Sequence, residues 1–150
     1  KLPEVPTFES YQKLLPELLD SLSAISEISL CTIPPIGENI DSEVNGHVKL
    51  FNDFIELTAR KKNIKLLPIS ELLWGDLSKR TYPLKSDYDP SALPIIRRIY
   101  GGAVQHYIFK KSWDEVAKSK GQWLLFDQIH LNEHGAKIVF NLVKKYISSI

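Results

Sequence analysis

The sequence predicts an α/β domain built on a parallel sheet with helices packed on its faces. Three observations carry that expectation. Short apolar runs at Ile25–Ile33, Ile64–Ile69 and Trp123–Phe126 read as buried strands. Longer segments around them repeat apolar residues at i, i+3, i+4 and i+7, the period of an amphipathic helix. The alternation of strand and helix, with connections too long for hairpins, calls for right-handed crossovers between parallel strands.

In chain order, Lys1 to Pro6 is a Pro-rich loop. Thr7 can cap a helix whose stripe is Phe8, Tyr11, Leu14, Leu15, Leu18, Leu19 and Leu22, with Glu9 in its first turn. Pro16 should kink or shorten it. The first strand, Ile25–Ile33, is ended by Pro34-Pro35-Ile36-Gly37. A second amphipathic helix carries Val44, Val48, Leu50, Phe51, Phe54, Ile55 and Leu57 and closes on Arg60-Lys61-Lys62-Asn63, where cations suit the dipole and Asn suits a left-handed stop. The strand Ile64–Ile69 follows. Ser70 offers a cap for a helical turn over Glu71–Trp74.

Residues 75–121 break the rhythm and read as an insertion carried above the sheet. A polar, Pro-containing loop precedes a stripe of Leu93, Ile96, Ile99, Tyr100, Ala103, Val104, Tyr107 and Ile108, with Ser91 or Asp89 before it. The stripe is expected to pack on the sheet; a lid or a substrate-pocket wall is the other use for it. Gly101-Gly102 is a place for a hinge or break. A short helix spans Trp113–Lys118. The third strand, Trp123–Phe126, is followed by a last helix over Glu133–Ser149 with Ala136, Val139, Leu142, Val143, Tyr146, Ile147 and Ile150 on one face.

The bulk numbers bound the function. The chain has 150 residues, enough for one domain, with 43% apolar and 25% charged residues. A net charge of +1 gives no basic footprint for nucleic acid. No segment approaches the ~18 apolar residues of a membrane span. The single cysteine, Cys31, sits in an apolar run and is expected in the core, and it leaves the cellular compartment open. There is no phosphate-binding glycine loop, dinucleotide fingerprint or metalloprotease helix, so no cofactor is implied.

The chemistry concentrates in Leu124-Leu125-Phe126-Asp127-Gln128-Ile129-His130-Leu131-Asn132-Glu133-His134-Gly135. A carboxylate and an imidazole three residues apart, in the turn after a buried strand, can meet. The carboxylate can then fix one tautomer and stabilise the imidazolium, as a general base in acyl transfer requires. Ligands of open parallel sheets bind outside the carboxyl ends of the strands, which is where Asp127 and His130 would lie. Asn132 should cap the last helix, leaving His130 outside it and His134 in its first turn. A metal site at Asp127, His130 and His134 is a weaker reading, because the two histidines would not share a helical face. His47 and His106 have no evident partner. Ser78, in Gly75-Asp76-Leu77-Ser78, is expected to be a loop serine, since no strand precedes it and no helix follows.

The phrase Asp-x-Ile-His-Leu-Asn-x-x-Gly resembles the last conserved block of the SGNH (GDSL) ester hydrolases. Pro34–Glu38, Val44-Asn45, Val48–Asn52 and Ile64–Leu73 are similar to the family's preceding segments, and Phe8–Ser23 to the helix after its Asn-bearing block. The resemblance implies a flavodoxin-like three-layer α/β/α fold with a parallel sheet and a Ser-Asp-His triad acting on a small-molecule ester. Only the triad's Asp and His map here, onto Asp127 and His130. The family's Ser, Gly and Asn blocks would lie upstream of Lys1. Residues 1–150 are thus expected to be the C-terminal part of one hydrolase domain, with a longer insertion than many members. The nucleophile would come from the missing N-terminal part or from a complementary chain. The competing reading is a non-catalytic binding or assembly module, with the Asp-His turn a relic and the insertion its working surface.

Overall fold

In the computed structural model, which describes residues 7–149, the chain forms a two-stranded parallel sheet flanked by six α-helices. Helix α1 (Phe8–Ser23) is capped by Thr7, whose side chain accepts the Ser10 N–H, and it runs through Pro16 without ending there. Strand β1 (Ser29–Cys31) pairs with β2 (Lys65–Leu67), in the register Leu30 opposite Leu66. Both strands are shorter than the apolar runs that contain them. Between them α2 (Glu43–Lys62) starts on Ser42 and stops at Asn63, which is left-handed (φ 53°), as its sequence predicts. The fold is mixed α/β and mostly helical.

Two apolar clusters hold it. Leu15 and Leu19 of α1 and Ile55 of α2 pack with Ile28, Leu30, Ile64 and Leu66 on one face of the sheet. The other cluster joins Leu73 and Leu77 of α3 (Ile69–Leu77) to Leu124 and Leu125, with Ile138 and Val139 of α6 (Glu133–Ile147) against them. On the second face of β1 the Ser29 hydroxyl meets the Tyr146 hydroxyl of α6.

Several expectations are corrected. Trp123–Phe126 is not a strand of the sheet. It is buried, but the Glu38 carboxylate takes the N–H groups of Trp123, Leu124 and Leu125, at distances from 2.6 to 2.9 Å. A backbone whose donors end on a side chain has none left for a ladder. The segment instead folds back on itself: Phe126 N–H bonds His130 O, Asn132 N–H bonds Leu124 O, and Leu125 bridges Leu131 in antiparallel fashion. Cys31 is exposed, because strand alternation sends Leu30 into the core and its neighbour outward. Ser70 does not cap α3; Pro68 stands at the cap, and Ser70 N–H bonds the Thr32 hydroxyl.

The insertion forms α4 (Ala92–Ala103), which continues as a π-helical turn (Val104–Ile108), and then α5 (Trp113–Ser119). Gly101-Gly102 neither breaks nor ends α4. A Cβ on Gly102 would meet Lys120 Nζ and Phe126 at 3.4 Å, so this glycine marks close packing. The apolar stripe does not pack on the sheet. Leu93, Tyr100, Tyr107 and Ile108 are each at least 65% exposed.

Candidate functional site

The tight turn after Phe126 brings Asp127 and His130 together. One Asp127 oxygen, Oδ1, accepts the backbone N–H groups of Ile129 (3.1 Å) and His130 (2.8 Å), and Oδ2 lies 2.7 Å from His130 Nδ1. Gln128 sits between them in the left-handed region (φ 77°), which closes the turn. Its strain is offset locally: Gln128 Nε2 donates to Ser86 and Asp87 carbonyls, and its own carbonyl accepts Gly37 N–H at 2.7 Å.

The carboxylate is buried, with its side chain 1% exposed, whereas the His130 side chain is 61% exposed. With Nδ1–H donating to Asp127, Nε2 of the neutral ring is the acceptor, and no described residue bonds to it. The ring is further set by stacking on Phe126, at 5.8 Å between centroids and 21° between planes. Phe126 packs in turn on Trp113 (4.2 Å), and Trp113 stacks on His106 (4.1 Å, 15°). A row of four rings therefore runs from the insertion to the dyad. His106, without a partner in the sequence reading, has this stack and a bond from Nδ1 to Lys111 O.

The rest of the motif is structural. Asn132 caps α6 by accepting Gly135 N–H and donates to Trp123 O. Gly135 is required by space: a Cβ there would lie 2.8 Å from Leu124 O and 2.9 Å from Leu131. These bonds fix the helix against the turn that carries the dyad.

Sequence reasoning missed a second Asp–His pair. His134 Nε2 lies 2.6 Å from Asp76 Oδ2, far from any role beside His130. The Asp76 carboxylate also accepts Trp123 Nε1–H (2.8 Å) and the Lys79 ammonium (2.9 Å). Burial pushes the Asp76 pKa up, but these hydrogen bonds and the nearby His134 charge outweigh it and hold the group down at about 2. Among the described residues no group of three or more His, Cys, Asp or Glu is placed to hold a metal ion. Ser78 lies at the C-terminus of α3 with its hydroxyl on Gly75 O. Glu38 was also missed: besides the three backbone donors it pairs with Arg80 at 3.2 Å. Neither partnership has a sequence signal, because the partners lie 42 to 87 residues away along the chain.

Comparisons with protein-family models, with curated proteins and with solved structures find no match to this chain.

Proposed function

We propose that this chain is the Asp–His-bearing part of a serine ester hydrolase of SGNH type, with the nucleophile supplied from outside residues 1–150. The observation that carries the reading is the Asp127 Oδ2–His130 Nδ1 bond of 2.7 Å, on a ring whose other nitrogen is left unbonded beside solvent. A buried carboxylate with three donors and a half-open imidazole is the arrangement a general base needs. In this reading a serine Oγ attacks the ester carbonyl while His130 Nε2 takes its proton. The same proton then goes to the leaving alcohol, and water releases the acid by the reverse exchange. Asp127 holds the ring in one tautomer and stabilises the imidazolium.

The reading also accounts for the sheet. Strand β1 pairs only with β2 among the described strands, so its other edge is open. Helix α1 leaves Leu14, Leu18 and Leu22 exposed, and α6 leaves Phe140 and Ile147 exposed. An open edge and exposed apolar helix positions fit a chain whose sheet continues into further strands, as in a flavodoxin-like three-layer domain.

Fluorophosphonate labelling of the full-length protein, with mass spectrometry of the digest, tests this. The expected label is on a serine outside Lys1–Ile150, and it weakens in His130→Ala. A label on a serine within these residues, or none at all, overturns it.

A second reading, a binding or assembly module with a relic dyad, is favoured by the exposed stripe of α4 and its π-helical turn. Absence of ester turnover in the parent protein, with no fluorophosphonate label, would select it.

A further inference from the structure

Behind the dyad turn lies a cavity of about 230 Å³ between α4 and residues 120–128, lined by Ser86, Arg97, Arg98, Lys120, Gln122 and Gln128. Three of its six lining side chains are cations and none is a carboxylate. Among the described residues Arg97, Arg98 and Lys120 form no salt bridge. Lys120 Nζ donates to two carbonyls, Arg98 O (3.1 Å) and Phe126 O (3.0 Å), which leaves one N–H. Burial lowers its pKa, and the Asp127 charge opposes that. Both oxygens of Asp127 are already engaged by its own turn. Asp89 lies near Arg98, but its Oδ1 is taken by Ser91.

Asp127 and Asp89 each offset one of these cations from a carboxylate held on its own turn, and Arg97 has no carboxylate partner among the described residues, so an anion between the three relieves their repulsion. Gln128 closes the same wall. It is 1% exposed, its Nε2 is fully engaged, and its Oε1 is a buried acceptor with no partner. That oxygen is closed off from the cavity, so the donors that face the cavity are those of the cations. The cavity is below the ~300–1,000 Å³ of a site that encloses a whole drug-sized ligand. Its size suits a single charged group.

We propose that this cavity binds the anionic group, phosphate or carboxylate, of a small ligand. Guanidinium and ammonium donors take the charge, with the fork of an arginine suited to paired oxygens. The inference does not depend on hydrolysis at His130.

Isothermal titration of the full-length protein with inorganic phosphate and with malate, at constant ionic strength in chloride, tests it. Saturable binding of either anion is expected. It should weaken by about tenfold or more in Arg97→Gln/Arg98→Gln, checked by circular dichroism for retained helix, since charge-assisted bonds are among the stronger ones. His130→Ala should bind as the parent does, whatever it does to turnover. Binding of phosphate alone assigns a phosphoryl ligand, of malate alone a carboxylate ligand, and of both a shared anion site. No binding of either anion, or binding unchanged in the arginine variant, overturns the proposal.

Discussion

Glu38 Oε1 lies 2.6 Å from the backbone nitrogen of Leu124, 86 residues further along the chain. The same carboxylate receives Trp123, Leu125 and Arg80, with no exposed side-chain surface. It therefore does for the dyad segment what a neighbouring strand would otherwise do: it satisfies buried N–H groups. Glu38→Gln would turn an NH₂ group toward those donors and leave Arg80 without its partner. Removing one member of a buried ion pair typically costs about 3–5 kcal/mol. Because Arg80 keeps some exposure, the low end is expected, about 3 kcal/mol. Urea unfolding of the parent and the variant at neutral pH measures it; a loss below about 1 kcal/mol would show that the carboxylate does not hold the segment.

Asp76 sets the acid limit of the α3–α6 contact. Its folded pKa of about 2 lies below the ordinary 3.8, so the folded state favours the charged form. The stability it contributes is complete above the unfolded value, near pH 4, and is lost as pH falls toward 2. A depression of this size corresponds to stability on the order of 2 kcal/mol. The difference in unfolding free energy between the parent and Asp76→Asn should thus be constant above about pH 5 and shrink between pH 4 and 2. A difference that is flat across the acid range would mean that Asp76 is not linked to folding.

Gly135 couples the last helix to the dyad turn by contact alone. Alanine there drives a methyl group to 2.8 Å from the Leu124 carbonyl oxygen, which belongs to buried backbone that cannot swing aside. Overpacking of this kind costs roughly 1–3 kcal/mol. A helix-interior alanine would otherwise be favoured over glycine by about 1 kcal/mol, so the sign of the measured change separates the two effects. Thermal unfolding of Gly135→Ala should show a lower midpoint; an increase would mean that α6 can shift away at little cost.

These variants mark the boundary of what the sequence shows. Local signals were legible: Thr7 and Asn132 cap their helices, Asn63 takes the left-handed stop, and Asp127 meets His130 three residues on. Each depends on residues within one turn of chain. Trp123–Phe126 shows the opposite case. Its apolar character announces burial correctly, but burial does not say what accepts the N–H groups, and Glu38 is remote in sequence. The α4 stripe fails for a related reason. Periodicity predicts one apolar face on a helix, but nothing local says whether this chain covers that face. His134 reads as a neighbour of His130, yet its nitrogen is held by Asp76, 58 residues away.

The two Asp–His pairs give the decisive comparison for the proposed chemistry. In Asp127→Asn the side-chain oxygen can still accept the Ile129 and His130 N–H groups, so the turn should persist. The amide NH₂ then faces Nδ1, and the ring must place its proton on Nε2, where it can no longer accept one from a nucleophile. Turnover of a short-chain aryl ester by the full-length protein should fall by about four orders of magnitude, with the unfolding midpoint little changed. His130→Ala should lose at least as much. The other pair should respond in reverse. His134 Nε2 is bound to a carboxylate that two other contacts already define, so His134→Ala should lower the unfolding free energy by about 1–3 kcal/mol and leave kcat/KM within about tenfold. Steady-state kinetics and urea unfolding on the same three variants separate the roles. Loss of turnover in His134→Ala with His130→Ala active would transfer the base to the Asp76 pair.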